Sequence, residues 1–395
     1  MIYFEKASEK SEAFFIFRRI FVTYLNEYMG LTCGIVGLPN VGKSTLFSAI
    51  SSNKAEAANY PFCTIEPNVG IVTVPDERLN VLAEFVKPNR ILPTVIEFTD
   101  IAGLVKGASQ GAGLGNKFLA NIREVDAIIH VVRCFDDENI IHVEGRVNPV
   151  SDKEIIDMEL QLKDLESIDK KIQKLERAAK AGDAKAKQEF AALQQFKATL
   201  EEGKSARTVV MDPDLREAAI GDLCLLTDKP VIYVANVDEA SLTAGGNPFV
   251  DTLRANVAVE NAEVIVVCAA LEAQISEIED LDERQMFLEE YGLTESGLSK
   301  LIRSSYALLN LITYFTAGVQ EVRAWTIQKG WKAPQAAGVI HTDFERGFIR
   351  AEVIKYADYQ TYKSEAACKE AGKLGVEGKD YIVQDGDIMH FRFNV

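Results

Sequence analysis

Gly37-Leu38-Pro39-Asn40-Val41-Gly42-Lys43-Ser44 is the stretch on which the fold of this 395-residue chain turns. It fits the phosphate-binding pattern G-x-x-x-x-G-K-[ST]. Cys33-Gly34-Ile35-Val36 before it reads as a short buried strand, and Thr45-Leu46-Phe47-Ser48-Ala49-Ile50 after it as the opening of a helix. A strand, a glycine-rich turn and a helix N-terminus direct backbone N–H groups and the positive helix end at one spot. The amides of Asn40 to Thr45 would cradle phosphate, Lys43 would reach the β- and γ-phosphates, and Ser44 would ligate Mg²⁺. The expected fold class is therefore α/β, a P-loop, G-protein-like nucleotide-binding domain, and a nucleoside triphosphate is its expected ligand.

The rest of the composition narrows the class. The length predicts two or three domains, and 47% hydrophobic with 26% charged residues is globular. A net charge of −16 argues against a general nucleic-acid-coating protein. Six scattered cysteines (33, 63, 134, 224, 268 and 368) form no C-x-x-C pair, which suits a reducing cytosol and no disulfide framework. The run Phe14 to Val22 is apolar but carries Arg18 and Arg19 and is too short to span a bilayer, so no membrane association is expected. Met29 lies four residues before the first strand. Residues 1–28 are read as an N-terminal extension that is not native to the design, with Met29 as the expected start.

Two further phosphate-sensing signals follow in order. Thr94 to Thr99 reads as a strand ending in Asp100-Ile101-Ala102-Gly103. Asp100 would organise the Mg²⁺ shell, and Gly103 would let its N–H meet the γ-phosphate. Between the P-loop and Asp100 lies Tyr60-Pro61-Phe62-Cys63-Thr64, where Thr64 is the candidate switch threonine over Mg²⁺. Leu104 stands where many related GTPases place a water-orienting glutamine, so intrinsic hydrolysis is expected to be slow.

The base site is read from Asn236-Val237-Asp238-Glu239, at the place of the N-K-x-D guanine motif. The lysine is replaced by Val237 and the aspartate by Glu239. Cys268-Ala269-Ala270, closing the strand-like Val264 to Ala270, takes the place of the S-A-K loop, again without its lysine. A site built to hydrogen-bond one group rejects an analogue lacking it by roughly 10⁴–10⁵, so these changes tilt the reading towards adenine. Asp238 in a guanine-reading role keeps GTP open at this point.

Residues 29–308 are expected to form the nucleotide domain, interrupted at 150–208 by two antiparallel helices packed as a hairpin coiled coil. Ile155, Met158, Leu162, Leu165, Ile168, Ile172, Leu175 and Ala179 recur at helical spacing, Gly182-Asp183 breaks the run, and Ala186, Phe190, Leu193, Phe196 and Leu200 resume it. From 163 to 187 the hairpin has eight basic and five acidic residues, which suggests an RNA or ribosome contact against the plainer reading of a solvated face. His130, inside Ala127 to Val132, is expected to be packed. Residues 309–393 read as a small α+β module, with a helix at 334–340, a strand over Tyr381 to Asp387 and a closing strand Met389 to Phe393.

These motifs, with Ala58 to Asn68, Gly113 to Leu119 and Asp380 to Phe391, resemble the YchF, or Obg-like ATPase, branch of the translation-factor class of P-loop GTPases over about 29–395. The resemblance implies a C-terminal ubiquitin-like TGS domain and ATP hydrolysis in preference to GTP. It also implies potassium stimulation, with Asn40 as a K⁺ ligand, and a cytoplasmic ribosomal partner, met at the large subunit or the intersubunit face, possible RNA contact lying in the hairpin or the TGS domain.

Overall fold

The computed structural model describes residues 32–52, 68–101 and 114–394. They form two compact units: Thr32–Pro75 with Ile96–Leu309, and Asp76–Val95 with the chain from Asn310 onward. The strands of the first half are β1 (Thr32–Val36), β2 (Val69–Thr73), β3 (Arg90–Leu92), β4 (Val95–Asp100) and β5 (Ala127–Arg133). They continue with β6 (Val231–Asn236), β7 (Glu263–Val267), β8 (Leu311–Ala317) and β9 (Glu321–Gln328). The last are β10 (Phe348–Lys355), β11 (Leu374–Glu377) and β12 (Asp387–Phe393).

The first unit is built on the sheet β2-β4-β1-β5-β6-β7. β1 lies parallel to β4 and β5, and β6 is parallel to β5 and β7. Every residue of β5 and β6 is buried, as expected of central parallel strands covered on both faces. Parallel strands put their carboxyl ends on one edge. The loop after β1, Asp100 ending β4, Asn236 ending β6 and Ala269 just past β7 are thereby gathered. The strand read over Val264 to Ala270 is shorter than expected, because Cys268 already caps the helix that begins at Ala269.

The insertion is a helical hairpin. With α1 (Lys43–Ser52) following the P-loop, the two arms are α2 (Pro149–Lys180) and α3 (Ala184–Glu201). Asn148 caps α2, with Pro149 at its first turn where no N–H is missed. Gly182 turns the chain at φ 98, and the Asp183 carboxylate accepts from the N–H groups of Lys185 (2.9 Å) and Ala186 (3.2 Å). Ile168, Leu193, Phe196 and Leu200 fill the seam, joined by Val209, Ala219, Ile220 and Leu225. The hairpin core thus runs past residue 208 through α4 (Pro213–Ile220).

In the predicted stripe, Met158 is 51% and Leu162 39% exposed. α2 has 32 residues against 18 in α3. The root of α2 therefore packs on β5 and the helix Pro248–Val257 instead, burying Ile155, Ile156 and Leu160. That root is also ionic. Lys153 Nζ lies 2.6 Å from Asp157 and 2.7 Å from Glu260, and Arg207 reaches the other Glu260 oxygen at 3.1 Å. Higher up, buried Asp164 accepts from the N–H groups of Leu226 and Thr227, each at 2.8 Å, and from the Thr227 hydroxyl at 2.7 Å.

His130 is packed, as its strand position predicts. Its ring lies 5.3 Å from that of Tyr233. Burial, reinforced by the Lys153 charge, lowers its pKa from 6.5 to about 3. A base held neutral in the folded state favours unfolding as pH falls below the unfolded value, because only the unfolded chain takes the proton. Relative to a His130→Gln variant, the natural chain should lose about 1.4 kcal/mol of stability per pH unit between about 6.5 and 3. Denaturant titrations of both proteins at pH 7, 5.5 and 4.5 check this. A constant difference across that range contradicts it.

The second unit is a mixed sheet of order β11-β10-β12-β8-β9-β3. β8 and β9 form an antiparallel hairpin, while β12 runs parallel to β8 and antiparallel to β10. One face is covered by the helix Ala333–Ile340 over Tyr314, Trp325, Phe348 and Phe391. The other carries Leu79 and Leu82 of the helix Glu77–Val86 against Phe315, Val322 and Ile354. That helix and β3, which pairs in parallel with β9, come from between β2 and β4. Both fall within the 29–308 span expected of the nucleotide domain but belong to the second unit. The strand expected over Tyr381 to Asp387 is absent. One bridge joins Lys332 to Ile382, and the Asp387 carboxylate holds the turn by accepting from the Tyr381 hydroxyl (2.6 Å) and the Gln384 N–H (2.9 Å). The strand proper starts at Asp387.

Candidate nucleotide site

The site begins where β1 ends. Asn40 and Gly42 have left-handed backbones, φ 61 and φ 91, which curl the loop before α1. A Cβ on Gly42 would sit 2.1 Å from Asn236 Nδ2, so glycine is required there by both conformation and space. Lys43 is the first residue of α1 and is buried, while Ser44 and Thr45 are exposed beside it at the helix start. The Lys43 ammonium forms an ion pair with Asp100, whose backbone N–H is held by the Asn68 carbonyl at 2.8 Å.

Asn236 joins the phosphate side to the base side. Its Nδ2 donates to the Val41 carbonyl at 2.9 Å, and its Oδ1 accepts from the Ala269 N–H at 2.9 Å. One buried amide thus ties the P-loop to α5 (Ala269–Glu277). Val237 is 2% exposed and donates its N–H to the Val267 carbonyl at 2.9 Å. The Asp238 carboxylate caps the next helix, accepting from the Ser241 N–H at 2.7 Å. It is therefore committed locally, which counts against its reading guanine. Glu239 is exposed. Burial pushes the Cys268 thiol above its ordinary pKa, so it stays neutral.

The structure therefore gathers Asn40, Val41, Gly42, Lys43, Ser44, Thr45, Asp100, Asn236, Val237, Glu239 and Ala269 around one strand edge. Thr64 and Gly103, with Cys63 and Leu104, lie outside the described residues. Sequence reasoning missed the loop after β5. Buried Arg133 donates to the carbonyls of Phe135 (3.1 Å), Ile140 (3.0 Å) and Asp137 (3.2 Å), and His142 meets Asp152 at 2.9 Å. The loop so shaped offers the Ile141 carbonyl to Asn40 Nδ2 at 3.2 Å. An arginine closing the otherwise apolar strand Ala127 to Val132 was the available signal.

The residues present fit a Mg²⁺-bound nucleoside triphosphate. An ammonium, a hydroxyl and a carboxylate converge at a helix N-terminus, beside a glycine whose Cβ would close the cradle.

Comparison with known proteins gives a consistent picture. Residues 32–175 match the family model described as a 50S ribosome-binding GTPase. Residues 311–394 match the model of the YchF GTPase C-terminal family, described as a protein of unknown function. The ribosome-binding ATPase YchF of Pasteurella multocida is 58% identical over 93% of this chain and all of its own length. Its Bacillus subtilis counterpart is likewise 58% identical, over 93% of this chain and 100% of its own. Among solved structures, a YchF GTPase of Schizosaccharomyces pombe superposes with a TM-score of 0.83 at 42% identity, covering 92% of this chain and 98% of that one. A GTP-binding protein of Pyrococcus horikoshii, 21% identical with a TM-score of 0.56 over 92% of this chain and 100% of that one, shares the fold.

Proposed function

Since this chain belongs to the YchF family of P-loop nucleoside triphosphatases, we propose that it binds Mg²⁺·ATP, hydrolyses it slowly to ADP and phosphate, and acts as a nucleotide-dependent switch on the ribosome. The observation that carries the choice of ATP is the state of the base motif. Val237 is buried, Asp238 is a helix cap, and the two motif positions that carry lysine in guanine sites are Val237 and Ala270. The names of the relatives, ribosome-binding ATPases, support the same reading.

Lys43 and the P-loop amides from Asn40 to Thr45 hold the phosphates and stabilise charge on the transferring group. Ser44, Thr64 and Asp100 would hold Mg²⁺, which neutralises charge on the β- and γ-phosphates when bound. Gly103 would offer its N–H to the γ-phosphate, and Asn236, Val237, Glu239 and Ala269 would line the base. Asn40 donates through Nδ2 to the Ile141 carbonyl, and its Oδ1 would be the ligand for K⁺ beside the phosphates. With Leu104 unable to orient water, turnover is slow unless a partner supplies that role.

The ribosomal contact is assigned to the hairpin. Lys170, Lys174 and Arg177 are exposed at i, i+4 and i+7 on α2, one face of the helix. Lys163 and Lys171 are instead neutralised by Glu166 and Asp222. Such a stripe suits ribosomal RNA on the large subunit or the intersubunit face, and a ribosomal partner supports a cytoplasmic location. No helix among the described residues is long and apolar enough to cross a membrane. Co-sedimentation with ribosomes tests the switch. Occupancy should differ at least severalfold between a non-hydrolysable ATP analogue and ADP. Equal occupancy in both, and without nucleotide, contradicts it.

A further inference from the structure

Arg133 closes β5 opposite Asn236 of β6 and is buried. Its guanidinium is spent on backbone. Nε donates to the Phe135 carbonyl at 3.1 Å, Nη1 to that of Ile140 at 3.0 Å and Nη2 to that of Asp137 at 3.2 Å. The same cation lies 4.7 Å from the centre of the Phe135 ring. A rigid fork of donors holds several carbonyls at fixed angles at once, which a single ammonium on a flexible stem does not. Residues 135–140 are thereby curled round one charge. The Asp137 carboxylate tightens the curl by accepting from the Asn139 N–H at 2.8 Å.

The next carbonyl along the chain, that of Ile141, accepts from Asn40 Nδ2 at 3.2 Å. The Ile141 side chain is 79% exposed, so apolar burial does not fix where that carbonyl points. The bonds of its neighbours do: Arg133 holds the Ile140 carbonyl, and His142 meets Asp152 at 2.9 Å. Across the contact, Asn40 has a left-handed backbone, φ 61, a conformation asparagine tolerates through hydrogen bonding of its short polar side chain. The P-loop also lies flush on β5 here, since a Cβ on Gly37 would sit 2.7 Å from the Val131 carbonyl.

We propose that Arg133 is a positioning residue for phosphate binding: it shapes residues 135–141 into a backbone acceptor that clamps Asn40 and so presets the curl of the P-loop. The inference rests on reading Gly37 to Ser44 as the phosphate cradle. A cradle already in its binding conformation loses less free energy to ordering when the ligand enters. Arg133 touches neither phosphate nor base in this role. It acts through the Ile141 carbonyl and the Asn40 amide.

The test is titration with labelled ADP, in Mg²⁺ without K⁺, of the natural chain, Arg133→Lys, Asn40→Gly and the double variant. Lysine keeps the charge but cannot hold three carbonyls. Glycine keeps the left-handed backbone at an exposed position and removes only the amide. Leaving out K⁺ keeps a cation role of Asn40 out of the comparison. Each single variant should raise the ADP dissociation constant about tenfold, the scale of one hydrogen bond. The double variant should bind no more weakly than either, because both changes release the same clamp. Competition by ATP and by GTP should weaken equally in Arg133→Lys, leaving their ratio that of the natural chain, since the clamp acts on the phosphate side.

An ADP dissociation constant unchanged in Arg133→Lys, with only the unfolding midpoint lowered, makes the arginine structural and overturns the proposal. So does a further tenfold loss in the double variant, or a shifted ratio of ATP to GTP, which would route the effect through Asn236. If Arg133→Lys does not fold, Asn40→Gly decides: a tenfold rise supports the clamp, and an unchanged dissociation constant overturns it. A natural chain that does not bind ADP overturns the cradle reading and the inference together.

Discussion

Lys43→Ala is expected to lower kcat for ATP hydrolysis by about two to three orders of magnitude, the usual loss when one preorganised charge-stabilising group is removed from a phosphoryl- or acyl-transfer site. Lys43 opens α1, is buried, and is aimed at Asp100 across the strand edge. In the proposed role its ammonium would meet the negative charge that gathers on the β–γ bridge as the phosphoryl group departs. Alanine also leaves Asp100 without its cationic partner, which disfavours a polyphosphate nearby. The loss should appear in kcat, measured as phosphate release at saturating ATP, and not only in KM. A variant that keeps kcat within tenfold of the natural chain would place the chemistry elsewhere.

The second large effect concerns stability. Glu260→Leu should cost about 3–5 kcal/mol, because removing one member of a buried ion cluster leaves its partners desolvated. Glu260 accepts from Lys153 and Arg207, and all three side chains are nearly inaccessible. The Tyr233 hydroxyl adds a longer bond at 3.3 Å. Lys153 keeps Asp157 in the variant, and Arg207 keeps the Lys229 carbonyl at 3.0 Å, so the loss should sit at the low end of that range. This cluster fixes the root of α2, and the hairpin should loosen first. Denaturant unfolding followed by a probe on the hairpin checks the effect, and an unmoved midpoint contradicts it.

What was legible in the sequence follows from the range of each interaction. The P-loop, the strand ends at Asp100 and Asn236, and the break at Gly182-Asp183 are local patterns, each decided within about ten residues. The cap at Asp238 was legible in principle, since an aspartate just before a helix is a strong N-cap. The same aspartate also suits a guanine contact, and the sequence does not separate the two roles. β3 was out of reach. It has three residues, Ile91 is 47% exposed, and its partner Val322 lies far along the chain. The Lys153–Glu260–Arg207 cluster was equally hidden, because no spacing rule joins charges so distant in sequence. Met158 and Leu162 show the opposite failure: a helical period identifies a stripe without saying where its covering partner ends.

The account stands most directly on one measurement, phosphate release by the natural chain with Mg²⁺·ATP and Mg²⁺·GTP side by side. ATP should be turned over slowly, well below the roughly 10 s⁻¹ of a typical enzyme, with a kcat/KM at least an order of magnitude above that for GTP. An equal or higher kcat/KM for GTP would mean that guanine is read despite the buried Val237 and the capped Asp238, and the base-site account would fail.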